Sequence, residues 1–349
     1  MNQSCLICRE KIKLSYKYNA THFNFLSEDT IGHNIFLKRK ILSCNNCGFS
    51  CVYPPIENKL LNKFYRNHYS AYGGPHYEPY QTSIYKWKNN INHRAMSQVS
   101  LARQYLNIDD GSNILDIGCG FGENFSMLKK MKINPNFFAI EAGENYINRL
   151  LELGASILPT KDGSVELDQN YHGFFDVIFM SHVLEHFNAN ELESIVVKIH
   201  KYLKDGGIFV CEVPNDDFRI KDLEGNNQAP HLCFFSIDSI QELLNKIGLS
   251  INFISTSGNA ILNRQKKGVN NSVTKNHIFC KFKNILYRSW RIKKIVRLIR
   301  YATYNSVISR YKYITEDQLK LLQESIEFSY GTDREKIRVI ARKIKVNNE

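Results

Sequence analysis

The two pairs Cys5-Leu6-Ile7-Cys8 and Cys44-Asn45-Asn46-Cys47 have the spacing of metal knuckles. Each knuckle folds back so that its two thiolates face one point, and two knuckles supply the four sulfurs of a closed tetrahedral zinc site. Gly48 follows the second pair, where a tight turn calls for positive φ. Phe23, Phe25, Ile35, Phe36 and Leu37 lie between the pairs and suit a short hairpin with a small core. The expectation is a structural Zn2+ on Cys5, Cys8, Cys44 and Cys47, with Cys51 as a spare neighbour. A site with four thiolates and no open position does no chemistry of its own. The alternative is four unpaired core cysteines.

A second group surrounds a glycine-rich turn. Asn113-Ile114-Leu115-Asp116-Ile117 is a short apolar run that leads into Gly118-Cys119-Gly120-Phe121-Gly122 and then a helix-like stretch from Glu123 to Lys132. Strand, glycine turn and helix in that order let the backbone pass close to a bound cofactor. Asn136 to Ile140 reads as the next strand, ending in Glu141, placed to accept hydrogen bonds from ribose hydroxyls. Ala155 to Leu158 reads as a third strand, with Asp162 after it where an adenine contact would sit. Asp116, Gly118, Cys119, Gly120, Gly122, Glu141, Asp162 and Ser181 are therefore the cofactor candidates. A nicotinamide dinucleotide is the competing cofactor, but its fingerprint spaces the glycines G-x-G-x-x-G, unlike 118, 120 and 122 here.

Histidines form the third group. Phe175 to Met180 reads as a buried parallel strand, and Ser181-His182-Val183-Leu184-Glu185-His186-Phe187 follows it. His182, Glu185 and His186 spell H-x-x-E-H, which on a helix would place two histidines for zinc. The alternative is catalytic: His182 and His186 lie past the carboxyl end of a strand, where open α/β sheets place ligands, and a histidine suits a general base. His231, before Phe234-Phe235-Ser236, is an equal candidate. Glu212, Asn215 and Asp216 are placed to line the same cleft.

The series LDIGCGFG, AIE, FDVIFMSHVLEHF and LKDGGIFVCEVPN over roughly residues 95 to 255 resembles class I S-adenosylmethionine (SAM)-dependent methyltransferases. That resemblance implies SAM as cofactor and a metal-free LEH segment. The run Cys47-Gly48-Phe49, Tyr53-Pro54-Pro55, Phe64-Tyr65 to Tyr72-Gly73 is similar to bacterial, methyltransferase-23-like enzymes that carry a zinc ribbon. In those the ribbon leads into a tyrosine-rich helix, here with Tyr65, His68, Tyr69, Tyr72 and Tyr77. Many act on sugars or surface-polysaccharide precursors, which implies a small-molecule or glycan acceptor.

The elements that position these residues give an α/β fold: a Rossmann-like seven-stranded methyltransferase sheet with an N-terminal zinc ribbon and a helical insertion between the last two strands. The expected units are a ribbon (1–55), a tyrosine-rich cap (56–94), a SAM-binding core (95–257), a basic helical insertion (258–333) and a final core strand (334–349). Lys204-Asp205-Gly206-Gly207 reads as a turn before a strand from Ile208 to Val213. The sixth strand is expected at Leu249–Ser255, and its carboxyl end opens on the ligand side.

Charge is concentrated in the insertion. Of 46 Lys+Arg and 34 Asp+Glu in 349 residues, 21 and 7 lie from Asn259 to Glu349, leaving 25 and 27 elsewhere. Phe282, Ile285, Ile292, Val296 and Ile299 recur at helical spacing, with Arg288, Arg291, Lys293, Lys294, Arg297 and Arg300 around them. A second helix is expected over Thr315–Ser329, with a capping box. Such a segment suits an anionic partner: a peripheral membrane surface, a nucleotide-sugar diphosphate, or RNA, which makes an RNA methyltransferase the second reading. A SAM-binding scaffold without turnover is the third. Met1 to Ser15 has no signal-peptide pattern and no apolar run is long enough to span a bilayer, so a cytoplasmic location is expected.

Overall fold

The computed structural model describes residues 4–12, 14–18, 35–67, 92–159, 165–220, 229–260, 314, 319, 323, 326–331 and 334–344. Its main sheet is mixed. β4 (Asn113–Ile117) lies at the centre, with β5 (Asn136–Ile140) on one side and β7 (Phe175–Ser181) on the other, both parallel to it. These runs are apolar almost throughout because parallel strands in this arrangement are covered on both faces: Ile114, Leu115, Val177, Ile178 and Phe179 are fully buried. The chain passes outward from β5 to β6 (Ser156–Ile157) and returns through β7. The direction of winding therefore reverses between β4 and β7, and a crevice opens there at the strands' carboxyl ends.

β8 (Leu203–Pro214) is parallel to β7. β12 (Arg334–Lys343) lies between β8 and β10 (Leu249–Ala260), antiparallel to both. β10 thus runs with the core strands, and its carboxyl end opens on the ligand side as expected. A two-residue β11 (Tyr330–Gly331) on the outer edge makes eight strands where seven were expected. The segment 204–207 is not a separate turn but the start of β8. Gly207 permits this: a Cβ there would sit 2.9 Å from the Lys204 carbonyl oxygen and 3.0 Å from that of Phe175. The register shift between Phe175 and Val177 takes up the bend.

Helices α2 (His93–Tyr105), α3 (Glu123–Lys130), α4 (Glu144–Glu152), α5 (Leu192–Tyr202) and α6 (Ile237–Asn245) accompany the sheet, preceded by α1 (Asn58–Asn67). Ser236 caps α6: its hydroxyl accepts from the Ser239 amide in a capping box. Most of the basic insertion, residues 261–313 with Phe282 through Arg300, lies outside the described residues. So does most of the helix expected over Thr315–Ser329, of which one 3-10 turn at Ile326–Phe328 is described.

A smaller antiparallel sheet holds the N-terminus. β1 (Leu14–Lys17), β2 (Lys40–Ser43) and β3 (Ser50–Tyr53) are joined by β9 (Cys233–Phe234), which comes from the segment after β8. Its apolar side merges with the main core, where Phe49 packs on Phe235 with ring centroids 5.6 Å apart. Ile35 and Phe36 are buried beneath it, whereas Leu37 is exposed.

Candidate active site

The cofactor half of the crevice comes from one strand–turn–helix–strand unit. Gly118, Gly120 and Gly122 all have positive φ, at 67°, 54° and 70°. A side chain at Gly118 would collide with Val183, 2.3 Å from its Cγ2, while Gly120 faces open space apart from the Glu123 carboxylate at 3.9 Å. The turn is thus packed on one side and open on the other, the form a ligand-cradling backbone needs. Glu141 supports it: one carboxylate oxygen accepts the Gly120 amide at 2.7 Å and the other the Gly143 amide at 2.8 Å. An ionised carboxylate has about four acceptor positions, so capacity for two ribose hydroxyls remains.

Acidic groups gather here. Burial pushes the Asp116 carboxyl up to about 8, against the pull of the Asn124 amide that donates to it at 3.0 Å. Burial likewise raises Glu123 and Glu141, and Arg94, at the start of α2, partly offsets it at Asp116 and Glu123. A cofactor with a sulfonium and an ammonium would relieve the mutual repulsion of these groups. Ser181 lies across the crevice and accepts a hydrogen bond from Gln98 at 2.8 Å. The Cys119 side chain is buried, so it is the backbone of this residue that the turn offers. Asp162 lies outside the described residues.

The acceptor half is assembled from distant segments. After β7 the chain makes only a single 3-10 turn, Leu184–His186, so the helix that would align His182 and His186 as zinc ligands does not form. His182 has φ of 55°, and its ring lies between two buried carboxylates, Nδ1 3.2 Å from Glu185 and Nε2 3.3 Å from Glu212. Burial opposes its charge, but the two carboxylates prevail and push it up to about 9. His186 is the reverse. Burial, beyond the attraction of Glu185, takes it down to about 4, and its Nδ1 shares a 2.9 Å hydrogen bond with the Tyr65 hydroxyl of α1. The His231 ring packs edge-on against it at 5.0 Å, with Nδ1 4.0 Å from the Asp216 carboxylate.

Glu185 is fully buried, and neither carboxylate oxygen makes an aligned hydrogen bond. Such a group is costly in a packed interior. Glu185, His186 and His231 each offer one ligand atom within 4.8 Å of the others. With His182 on Glu185 and Tyr65 on His186, the same spacing serves a proton-transfer cluster.

Glu212 does not line the crevice as a free residue. It is 1% exposed and is held by the buried Arg338 of β12 through Nε at 2.7 Å, with the Arg338 guanidinium also on Ser97 and Tyr330. Arg338 and His182 keep Glu212 ionised against its burial. Asn215 spends its amide on the Arg334 carbonyl. Arg94, Gln98 and Arg338 were not singled out from the sequence, and Tyr65 was named only as part of the tyrosine-rich segment. They lie on α1, α2 and β12, and no local spacing links them to the histidines.

The four N-terminal cysteines do converge. Sγ atoms of Cys5 and Cys47 are 3.6 Å apart, and those of Cys8 and Cys44 are 3.5 Å apart. That is far beyond a disulfide length of about 2.05 Å, and close to the sulfur–sulfur edge of about 3.8 Å in a tetrahedron with zinc–sulfur bonds of about 2.3 Å. The knuckles match in backbone, since Arg9 and Gly48, each just after the second cysteine, have φ of 64° and 72°. The contact between the Cys5 and Cys47 sulfurs takes the Cys5 thiol down to about 5 and raises Cys47. Four thiolates this close together would need a cation between them. The donor set fits zinc. Cys51 stands apart on β3, and Cys119, Cys211 and Cys233 are buried single cysteines; Cys280 lies outside the described residues.

An α/β sheet with a glycine turn and a cluster of acidic groups at its switch point has the layout of a methyltransferase-like fold. Residues 87–252 match the family model described as Methyltransferase domain. Over those residues the chain carries a methyltransferase domain, and the protein is a methyltransferase enzyme. No curated protein matches the sequence. Solved structures it is similar to include a SAM-dependent methyltransferase from Archaeoglobus fulgidus, at 17% identity over 76% of this chain and 100% of that one, TM-score 0.39. Another is phosphoethanolamine N-methyltransferase 2 from Haemonchus contortus with SAM, at 14% over 95% and 69%, TM-score 0.47. A third is a SAM-dependent methyltransferase from Mesorhizobium loti, at 13% over 70% and 97%, TM-score 0.39. Among the described residues no helix is long and apolar enough to cross a membrane.

Proposed function

We propose that the enzyme moves the SAM methyl group to a polar small molecule or glycan, such as a sugar or surface-polysaccharide precursor, with His231 as general base. The observation that supports this most is the buried Glu185 carboxylate with His182, His186 and His231 around it, across the crevice from the glycine turn. Methyl transfer needs the acceptor in line with the sulfonium and its proton removed. Of the three histidines, His182 is held protonated between two carboxylates and cannot accept a proton near neutral pH. His186, taken down to about 4, is too weak a base and instead orients its neighbours through Tyr65. His231 is the remaining one, with a partly exposed ring and a carboxylate, Asp216, on the side of Nδ1.

Asp116, the glycine turn, Glu141 and Ser181 hold SAM in this reading, and the four cysteines hold a structural zinc. The sequence resemblance favours the sugar acceptor. The basic insertion would meet acceptor phosphates or an anionic membrane.

The test is transfer of labelled methyl from SAM by the purified protein to nucleotide sugars, free glycans and RNA. His231→Gln should lower transfer about 100-fold or more while SAM affinity stays within about twofold. Undiminished transfer by His231→Gln would overturn the assignment. Labelling of RNA alone would move the acceptor to nucleic acid. SAM binding with no transfer to any acceptor would favour the scaffold reading.

A further inference from the structure

The cysteine site and the acceptor histidines are joined by an unbroken series of hydrogen bonds. The Cys44–Cys47 knuckle closes the β2–β3 hairpin, with the Gly48 amide donating to the Cys44 carbonyl at 3.0 Å and the Cys44 amide to Phe49 at 2.9 Å. β3 pairs Cys51 with Cys233 and Ser50 with Phe234. One step beyond the pair, the Val52 amide donates to the Leu232 carbonyl at 2.8 Å, and the Leu232 amide donates to the carbonyl of Glu185 at 2.7 Å. The residue just before Leu232, His231, has its own carbonyl held at 2.9 Å by the hydroxyl of Tyr18, which is 4% exposed and directly follows β1. Two more bonds tie the second knuckle to residues between β8 and α6: Ser236 donates its hydroxyl to the Cys47 carbonyl, and Arg219 donates to the Asn46 carbonyl at 2.7 Å.

Resting on the reading of His231 as an acceptor-side residue, the geometry points to the N-terminal metal site as the part that positions that histidine, with Tyr18 as the positioning residue. Zinc on Cys5, Cys8, Cys44 and Cys47 joins the first knuckle to the β2–β3 hairpin. The hairpin then presents a fixed edge to Leu232–Phe234, and Tyr18 fixes the carbonyl just before it. β1, β2 and β3 have four residues each, so a clamp at the knuckle end is a sizeable added constraint on the hairpin. The metal supplies it, and β9 passes it to the acceptor side. The cofactor half has no bond in this series, so metal loading governs the acceptor side and leaves SAM binding alone.

The experiment uses the full-length protein, zinc-loaded and then stripped by a chelator, with metal content measured. Three readouts are taken: amide exchange over 229–236 and over 113–125, the ring resonance of His231 (assigned with His231→Gln), and SAM affinity by calorimetry. On zinc loss, exchange over 229–236 should rise about tenfold or more and the His231 resonance should shift. Exchange over 113–125 and SAM affinity should stay within about twofold. Tyr18→Phe, with zinc still bound, should shift the His231 resonance without changing metal content or SAM affinity. Protection of 229–236 that survives zinc loss overturns the proposal, as does a His231 resonance indifferent to Tyr18→Phe. Collapse of SAM affinity and of protection throughout the chain also overturns it, because the metal would then hold the whole fold. If the zinc-loaded protein fails to bind SAM, the methyltransferase site is at fault, while the exchange and resonance data still judge the coupling.

Discussion

The two halves of the crevice are built in opposite ways. The cofactor half is continuous in sequence: Asp116, the turn 118–122 and Glu141 belong to one unit of β4, α3 and β5, joined by bonds such as that from Gly120 to Glu141. The acceptor half brings together Tyr65 of α1, Glu185 and His186 after β7, and His231 before β9, with the N-terminal sheet bracing the last of these. A cofactor common to many enzymes can be met by one local motif. An acceptor site tailored to one substrate is assembled from segments free to vary separately.

This contrast can be broken or sharpened by substitution. The largest effect is expected from Gly120→Arg, which fills the open side of the turn. SAM binding should become undetectable, a loss of about 1000-fold or more, with the melting transition retained; calorimetry and thermal denaturation check both. Next is Arg338→Met, which leaves Glu212 buried without its guanidinium. Destabilisation of about 3–5 kcal/mol is expected in denaturant titration, and it should be felt on the acceptor side first, where Glu212 faces His182. Glu141→Ala removes a double acceptor from the cofactor half and should weaken SAM about 10- to 100-fold, without altering the His231 resonance.

The smallest effects are pH effects, and they separate the halves by sign. His182 is raised to about 9 in the fold. Its contribution to stability is therefore full below the unfolded value of about 6.5 and is lost as pH rises through about 9. His182→Gln should flatten the alkaline limb of the stability profile. On the cofactor side Asp116, at about 8, is largely protonated at pH 7. A cation bound beside it lowers that value, so SAM binding should release protons, and the measured binding heat should depend on the buffer's ionisation enthalpy. Asp116→Asn should abolish that dependence.

The same contrast explains what was legible in the sequence. The glycine turn, the strands around it and the convergence of the four cysteines follow from local spacing, and each is present in the fold. The extension of β8 back through Lys204–Gly207 was hidden because a glycine pair reads as a turn, whereas here it lets the strand pass close to Phe175. His182, Glu185 and His186 were visible as a motif, but their division of labour was not. The ring of His182 is fixed by Glu212 on another strand, and that of His186 by Tyr65 on α1. Nor does any local pattern show that β3 would find its partner at Cys233, which lies 180 residues further on than Tyr53.

The central claim is that the crevice beside the 118–122 turn binds SAM for methyl transfer. Calorimetric titration of the zinc-loaded protein with SAM, and separately with NADH, tests it most directly. Saturable SAM binding in the micromolar range, absent in Gly120→Arg and absent for NADH, is the predicted result. A folded, metal-replete protein that fails to bind SAM, or that binds NADH in its place, would contradict it.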